Sequence, residues 1–121
     1  MKSMYQIEFY KTASGRVPVI DYVRELEKNS KHREIAQIWL YIGYLSEYGF
    51  AVNNHFPETI RKVQGDLYEL RPGSNRVFFF HVVGNRIVLL HAYKKQSQKA
   101  PKKEIEKAER EMKDCINRGE K

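Results

Sequence analysis

Several residues between positions 69 and 99 have the side-chain types needed to break a phosphodiester bond without a metal ion. When a ribose 2′-OH attacks its neighbouring phosphate, negative charge builds on the non-bridging oxygens, and the planar donor fork of a guanidinium suits that charge. A base must also take the 2′-OH proton, and an acid must protonate the leaving oxygen. The residues of these types are Glu69, Arg71, Arg76, His91, Tyr93, Lys94, Lys95 and Lys99.

Four of these residues are candidate catalytic groups. Arg76 is predicted to bind the reacting phosphate through a partly exposed guanidinium, because it precedes an apolar run in which packing does not explain an arginine. Glu69 is a candidate base, His91 a candidate base or acid, and Tyr93 is predicted to stack on a nucleobase or donate a proton. The candidate RNA- or phosphate-binding residues are Arg71, Lys94, Lys95 and Lys99.

Structural roles remain open for three of these side chains. Glu69 can form an ion pair with Arg71 or Arg76 and take no part in chemistry. His91 can instead be a hydrogen-bonded histidine at the edge of an aromatic cluster. Tyr93 can be a packing residue, since buried tyrosines combine a large apolar ring with one polar atom.

Three antiparallel strands joined by two turns are predicted to bring the candidate residues together. The first turn is Pro72–Asn75, and the second is Gly84-Asn85, whose residues tolerate the positive φ of two-residue hairpin turns. The predicted register pairs Tyr68 with Phe79, Glu69 with Phe78, Arg71 with Arg76, Arg76 with Tyr93, Phe78 with His91, Phe80 with Leu89 and Val83 with Arg86.

Side chains alternate across a sheet, so this register predicts which residues share a face. One face is predicted to be a core face, formed by Tyr68, Leu70, Val77, Phe79, Val88, Leu90 and Ala92. The opposite face is predicted to begin with apolar residues and to end with the site, in the set Leu67, Phe80, Leu89, Glu69, Arg71, Arg76, His91, Tyr93 and Lys95.

The elements around this hairpin are predicted to be helical, with two short strands. One helix begins at Pro18 and ends before Asn29, and a second runs from His32 to Tyr48; both cover the core face. Short extended segments are predicted at residues 4–10 and 60–63. A last helix, from Pro101 to about Ile116, has a narrow apolar line, which predicts that it lies loosely on the body or packs on another chain.

Length and composition indicate a single domain over residues 1–121, long enough to form a core without a metal or a disulfide. The one cysteine, Cys115, excludes an internal disulfide and suits a reducing cytoplasm. The sequence has no hydrophobic run of membrane-spanning length, no glycine-rich phosphate loop and no metal-ligand spacing. A cytoplasmic protein without membrane association, metal or cofactor is therefore expected.

The net charge of +7 comes entirely from the second half of the chain. Residues 1–60 contain seven basic and seven acidic side chains, whereas residues 61–121 contain fifteen basic and eight acidic ones. The excess therefore coincides with the candidate site. A polyanion is the expected partner, and nucleic acid is favoured over a membrane because no amphipathic basic helix with bulky apolar anchors is present.

The order of motifs along the chain resembles the RelE/ParE superfamily of toxin–antitoxin toxins, and in particular its HigB-like, phage-protein-related branch. The residues that carry this resemblance are the run Leu67–Arg71, Arg76, the run Ile87–His91, the pair Lys94-Lys95 and the run Pro101–Glu104. The resemblance implies an α+β fold in which a twisted antiparallel sheet packs against two N-terminal helices and carries a C-terminal helix.

The resemblance also implies an activity and partners. Relatives of this kind are endoribonucleases that cleave mRNA at the ribosome, leave a 2′,3′-cyclic phosphate and are neutralised by a co-transcribed antitoxin, in the HigB branch usually a helix-turn-helix protein. Arg76 matches the arginine that RelE places on the scissile phosphate. Arg71 matches a basic position of RelE in the preceding strand, and Lys95 matches a later basic residue that contacts phosphate. Two RelE lysines are replaced by Leu67 and Glu69, so the proton-transfer roles do not carry over.

Two other functions remain open on the same scaffold. One is a ParE-like poison of DNA gyrase, which has no catalytic residues. The other is a non-catalytic RNA-binding phage accessory protein, in which the basic face only binds. A histidine and a tyrosine on the basic face favour cleavage over binding alone.

Overall fold

The computed structural model describes residues 4–97 and 99–119, and within these residues it contains one five-stranded sheet and three α-helices. In chain order the elements are β1 (Gln6–Phe9), α1 (Pro18–Lys28), α2 (His32–Tyr48), a 3₁₀ helix (Gly49–Asn54), β2 (Ile60–Gln64), β3 (Leu67–Leu70), β4 (Asn75–His81), β5 (Arg86–Lys94) and α3 (Lys102–Asn117). The α+β class and the two N-terminal helices are as predicted.

The sheet has the strand order β1-β5-β4-β3-β2 and is mixed, so the prediction of a wholly antiparallel sheet is wrong at one edge. β1 runs parallel to β5, with Gln6 paired with Arg86 and Phe9 with Leu89. Parallel neighbours need a long connection, which the intervening helices and strands supply. The other strand pairs are antiparallel.

Helices α1 and α2 cover one face of the sheet. Pro18 occupies the first turn of α1, where its missing N–H costs nothing, and α2 has the predicted bounds. The core between these helices and the sheet is formed by Val19, Leu26, Ile38, Ile42, Leu45, Val52, Ile60, Leu70, Val77, Phe79, Ile87 and Leu89. These helices therefore form a rigid layer behind β3, β4 and β5.

The register between β4 and β5 is as predicted at one end of the hairpin and displaced at the other. At the first end, Arg76 pairs with Tyr93. Nearer the turn, an irregularity shifts the pairing by one residue, so Phe80 pairs with Val88 and not with Leu89. A β-bulge of this kind inserts one extra residue into one strand.

The displacement moves three β5 residues to the faces opposite to those predicted. Leu89 lies in the core under α1 and α2, whereas Val88 and Leu90 lie on the other face. Because side chains alternate, a slip of one residue moves each of them across the sheet. The turn is also longer than two residues: the N–H of Val82 donates to the carbonyl of Arg86 at 2.8 Å, so the predicted Val83–Arg86 pair does not form.

Helix α3 covers the second face of the sheet, so the prediction of a loose or intermolecular position for it is wrong. Ala108, Met112 and Cys115 are buried. They pack in one cluster with Leu67, Phe78, Phe80, Val88, Leu90 and Tyr93. Among the described residues, no helix has the length and apolar character needed to cross a membrane.

Candidate functional site

A cavity of about 250 Å³ opens between strand β2, the end of β3 and the segment that leads into α3. Its lining contains six cationic side chains and one carboxylate. We call this site the cationic pocket, and its lining residues are Arg61, Lys62, Val63, Glu69, Arg71, Arg76, Tyr93, Lys95, Ser97, Lys99, Ala100 and Ile105. Six of the eight residues predicted from the sequence lie in it: Glu69, Arg71, Arg76, Tyr93, Lys95 and Lys99.

Arg76 is only 6% exposed, and its guanidinium is held by the turn that precedes it. Nη1 donates to the carbonyl of Gly73 at 2.7 Å and to the carbonyl of Asn75 at 2.9 Å. Burial, followed by the charge of Arg71, lowers the pKa of Arg76. The ordinary pKa of arginine is so high that the group stays charged at neutral pH. The pocket therefore contains a fixed cation, and the expectation of a partly exposed guanidinium is wrong.

Glu69 lies between two guanidiniums and is 5% exposed. Its Oε2 is 3.6 Å from Nε of Arg71 and 3.9 Å from Nε of Arg76. Its Oε1 is buried and has no hydrogen-bond partner among the described residues. A buried oxygen that accepts no hydrogen bond is costly, and it is available to a donor on a bound molecule.

Arg71 follows β3, and its N–H donates to the carbonyl of Thr59 at 2.9 Å. It therefore does not pair with Arg76 in the sheet as predicted, although both line the cationic pocket. Nη1 of Arg71 is 3.3 Å from Oε1 of Glu58, an exposed carboxylate at the mouth of a neighbouring cavity. Arg71 thus links the buried Glu69 to the surface.

Tyr93 is buried, and one face of its ring is covered. The ring stacks on Phe78 with centroids 5.4 Å apart and an interplanar angle of 27°. Burial, followed by the charge of Glu69, raises the pKa of Tyr93 to about 12. The phenol therefore keeps its proton at neutral pH and can act as a donor, but not as a base.

Four cations form the exposed part of the pocket. Arg61, Lys62 and Lys99 are exposed and Lys95 is half-buried, and none of the four makes an ion pair within the described residues. Sequence reasoning missed Arg61 and Lys62. The sequence predicts an extended segment at residues 60–63 but does not predict which strand it pairs with. In the structure this segment pairs with β3, and Arg61 lies opposite Glu69.

His91 does not line the cationic pocket, so the structure does not bring it together with the other predicted catalytic groups. Its side chain is 3% exposed and lies under α3, where Nδ1 is 2.5 Å from Oε1 of Glu111 and Nε2 is 2.9 Å from Oε1 of Glu104. Its ring meets Phe78 edge-on, with centroids 5.1 Å apart. Both nitrogens are therefore engaged, and the open alternative of a hydrogen-bonded histidine beside an aromatic cluster describes it.

Lys94 also lies outside the cationic pocket, apart from the other predicted phosphate-binding residues. Side chains alternate along β5, so Lys94 is directed to the helix side of the sheet. There its Nζ donates to Oε1 of Glu34 on α2. Its neighbour Lys95 lines the pocket instead.

The chemistry available in the pocket is that of an anion site with one proton acceptor and one proton donor. The guanidiniums of Arg71 and Arg76 can bind a phosphate, Oε1 of Glu69 can accept a proton, and the phenol can donate one. Within the described residues, no group of three or more histidine, cysteine or acidic side chains is arranged to hold a metal ion.

Residues 21–113 match the family model described as Phage derived protein Gp49-like (DUF891). The matched range covers more than half of the chain and contains every residue that lines the cationic pocket. None of the curated proteins compared with the chain matches it.

Proposed function

The chain belongs to the Gp49-like family of phage-derived proteins, which is part of the RelE/HigB-like toxin superfamily, and we propose that it is a type II toxin that cleaves mRNA without a metal ion. The observation that carries this proposal is the cationic pocket, in which Arg71 and Arg76 flank a buried carboxylate with an unpartnered oxygen. Such a pocket suits an RNA linkage, which presents both an anion and a hydroxyl donor.

In the proposed reaction the ribose 2′-oxygen attacks the adjacent phosphorus, and the bond from phosphorus to the 5′-oxygen breaks. Oε1 of Glu69 accepts the 2′-OH proton, while the Arg76 guanidinium, with Arg71 beside it, stabilises the charge on the non-bridging oxygens. The phenol of Tyr93, which stays protonated at neutral pH, donates a proton to the leaving 5′-oxygen. The products are a 2′,3′-cyclic phosphate and a 5′-hydroxyl end.

The four outer cations extend the site beyond one phosphate. Lys95 and Lys99 on one side and Arg61 and Lys62 on the other can bind the phosphates that flank the cleaved linkage. This arrangement supports a polynucleotide substrate. We propose that the substrate is mRNA bound to the ribosome and that the protein acts in the cytoplasm. Family membership supports a co-transcribed antitoxin, of helix-turn-helix type, as the protein partner.

A second candidate function is RNA binding without cleavage, and the position of His91 favours it. The imidazole predicted to transfer protons is held by Glu104 and Glu111 away from the pocket. The phosphate-binding groups remain, but proton transfer is left to Glu69 and Tyr93. The two functions differ in what happens to bound RNA.

The test is to incubate purified protein with mRNA alone in the presence of EDTA and, in a separate reaction without EDTA, with mRNA on translating ribosomes. We expect new 5′-hydroxyl ends and 2′,3′-cyclic phosphates, and much slower cleavage by the Arg76→Ala variant. RNA that binds to the protein but stays intact would assign the second function. Intact RNA together with inhibited DNA supercoiling by gyrase would assign the ParE-like activity.

A further inference from the structure

Four hydrogen-bonded side chains lie directly behind the cationic pocket, on the helix side of the sheet. At their centre is Asn75, which is 1% exposed. The hydroxyl of Tyr22 on α1 donates to its Oδ1, and its Nδ2 donates to Oε1 of Glu34 on α2 at 2.9 Å. The same Glu34 oxygen accepts a hydrogen bond from Nζ of Lys94. We call Tyr22, Asn75, Glu34 and Lys94 the Asn75 clamp.

The donors and acceptors of this clamp can be arranged in only one way. Hydrogen bonds from Lys94 and Asn75 lower the pKa of Glu34, so it is an ionised acceptor at neutral pH. An ionised carboxylate only accepts, which forces the amide nitrogen of Asn75 toward Glu34 and its oxygen toward Tyr22. Burial, followed by the charge of Glu34, raises the pKa of Tyr22 to about 12, so its hydroxyl keeps the proton it donates.

The clamp is joined to the pocket through the backbone. Asn75 and Arg76 are consecutive in β4, so their side chains point to opposite faces. The carbonyl of Asn75 is one of the two acceptors that hold Nη1 of Arg76, and its N–H donates to the carbonyl of Pro72 at 3.0 Å. Fixing the Asn75 side chain therefore fixes both the turn and the peptide plane that hold the guanidinium.

Packing alone does not account for these residue types. Asn75 is almost fully buried, and burying an amide is costly unless its polar atoms find hydrogen-bond partners. An apolar residue at position 75 would fill the space without that requirement. What a polar clamp adds is direction, because hydrogen bonds fix an orientation that apolar contacts leave free.

We propose that Asn75, held by Tyr22 and Glu34, is a positioning residue that sets the direction of the Arg76 guanidinium from the far side of the sheet. The proposal rests on the proposed function in that Arg76 is taken as the group that binds the reacting phosphate. The orientation of Arg76 can nevertheless be measured without RNA, so the two proposals can fail separately.

The experiment compares Tyr22→Phe, Glu34→Ala and Glu34→Gln with the full-length wild-type chain. Tyr22→Phe removes one hydroxyl and keeps the ring, and Glu34→Gln keeps an oxygen that can accept from Asn75. Tyr44→Phe is the matched control, because Tyr44 is half-buried on α2 and makes no side-chain hydrogen bond within the described residues. Thermal unfolding of each variant establishes that it is folded.

The first readout is the nitrogen NMR signals of the Arg76 guanidinium, assigned by their absence from Arg76→Lys. In the wild type and in Tyr44→Phe we expect hindered rotation, with separate Nη1 and Nη2 signals. In folded Tyr22→Phe and Glu34→Ala we expect faster rotation and merged signals, and in Glu34→Gln at least partial recovery. Signals that match the wild type in both folded variants would overturn the proposal, as would an equal change in Tyr44→Phe.

The second readout is single-turnover RNA cleavage. We expect Tyr22→Phe to slow the chemical step roughly tenfold or more, since a misplaced catalytic group loses much of its effect, with little change in RNA affinity. Merged signals with an unchanged cleavage rate would overturn the catalytic part of the proposal. If the wild type does not cleave RNA, the proposed function fails, and the NMR comparison still decides whether the clamp positions Arg76.

Discussion

Nδ1 of His91 on β5 lies 2.5 Å from Oε1 of Glu111 on α3, and both side chains are buried. This contact joins the C-terminal helix to the sheet by a polar link beside a cluster of buried apolar side chains. Because α3 carries Ile105 at the edge of the cationic pocket, the link also fixes one wall of the site. The histidine therefore supports the pocket from outside.

We expect Glu111→Ala to lower the free energy of unfolding by about 2 kcal/mol, because it leaves one nitrogen of a buried imidazole without its hydrogen-bond partner. Glu104→Ala should cost about 1 kcal/mol, since Glu104 is partly exposed. Glu106→Ala, at an exposed position of the same helix, is the control. Urea unfolding measures all three, and equal stability of the Glu111 and Glu106 variants would contradict a structural role for the link.

Arg76→Ala is expected to slow RNA cleavage by a factor of about a hundred to a thousand, because the guanidinium stabilises charge that develops only in the transition state. It should also lower stability by about 2 kcal/mol, since two backbone acceptors lose their donor. Arg24→Ala, at an exposed position on α1, controls for loss of positive charge. Cleavage kinetics and urea unfolding report the two effects separately. An unchanged cleavage rate would remove Arg76 from the mechanism.

Glu69→Gln is expected to separate binding from cleavage. The amide keeps the shape of the side chain but is a poor base, so cleavage should fall by about a hundredfold. Affinity for a non-cleavable RNA with a 2′-deoxy linkage should stay the same or increase, because a negative charge leaves a cationic site. Glu58→Gln changes an exposed carboxylate that also contacts Arg71 and serves as the control. Wild-type cleavage by Glu69→Gln would exclude it as the base.

How far the sequence predicts this site depends on how local each determinant is. The Arg76–Tyr93 pair agrees with the predicted register because two unpredicted features cancel: the longer turn shifts the pairing by one residue, and the bulge shifts it back. The bulge, near which Leu89 and Leu90 lie on the faces opposite to those predicted, was not predictable from the sequence. It leaves no signature in an all-apolar strand, where either register buries the same residue types.

The position of His91 was missed for a different reason. Its two partners are acidic residues on a helix whose pattern of alternating Glu and Lys indicates a solvent-exposed surface. Only tertiary packing shows that Glu111 faces the sheet. The rim residues Arg61 and Lys62 were missed because a short isolated strand carries no information about which strand it pairs with.

The Glu34–Lys94 contact predicts a specific pH dependence. Hydrogen bonds from Lys94 and Asn75 lower the pKa of Glu34 in the folded protein. Its stabilising contribution is therefore fully present above the ordinary pKa of an unfolded glutamate and is lost as the pH falls through the lower, folded pKa.

In Lys94→Gln we expect the pKa of Glu34 to rise and the acid unfolding midpoint to move to higher pH. An NMR titration of the Glu34 carboxyl measures the first change, and unfolding followed by circular dichroism measures the second. Lys113→Gln, at an exposed position of α3, is the control. A Glu34 titration identical in the wild type and in Lys94→Gln would show that the contact is not formed in solution.

The rim of the cationic pocket predicts the salt dependence of RNA binding. Each cation that neutralises one phosphate of a single strand contributes about 0.7 to the slope of log affinity against log salt concentration. Lys95→Ala and Arg61→Ala should therefore each reduce the slope by about that amount, whereas Lys113→Ala, which lies outside the pocket, should leave it unchanged. Fluorescence anisotropy with a non-cleavable oligonucleotide between low and physiological salt measures the slopes. Because Lys95 and Arg61 lie on opposite sides of the pocket, a loss in only one variant would mean that the RNA follows one wall and does not cross the site.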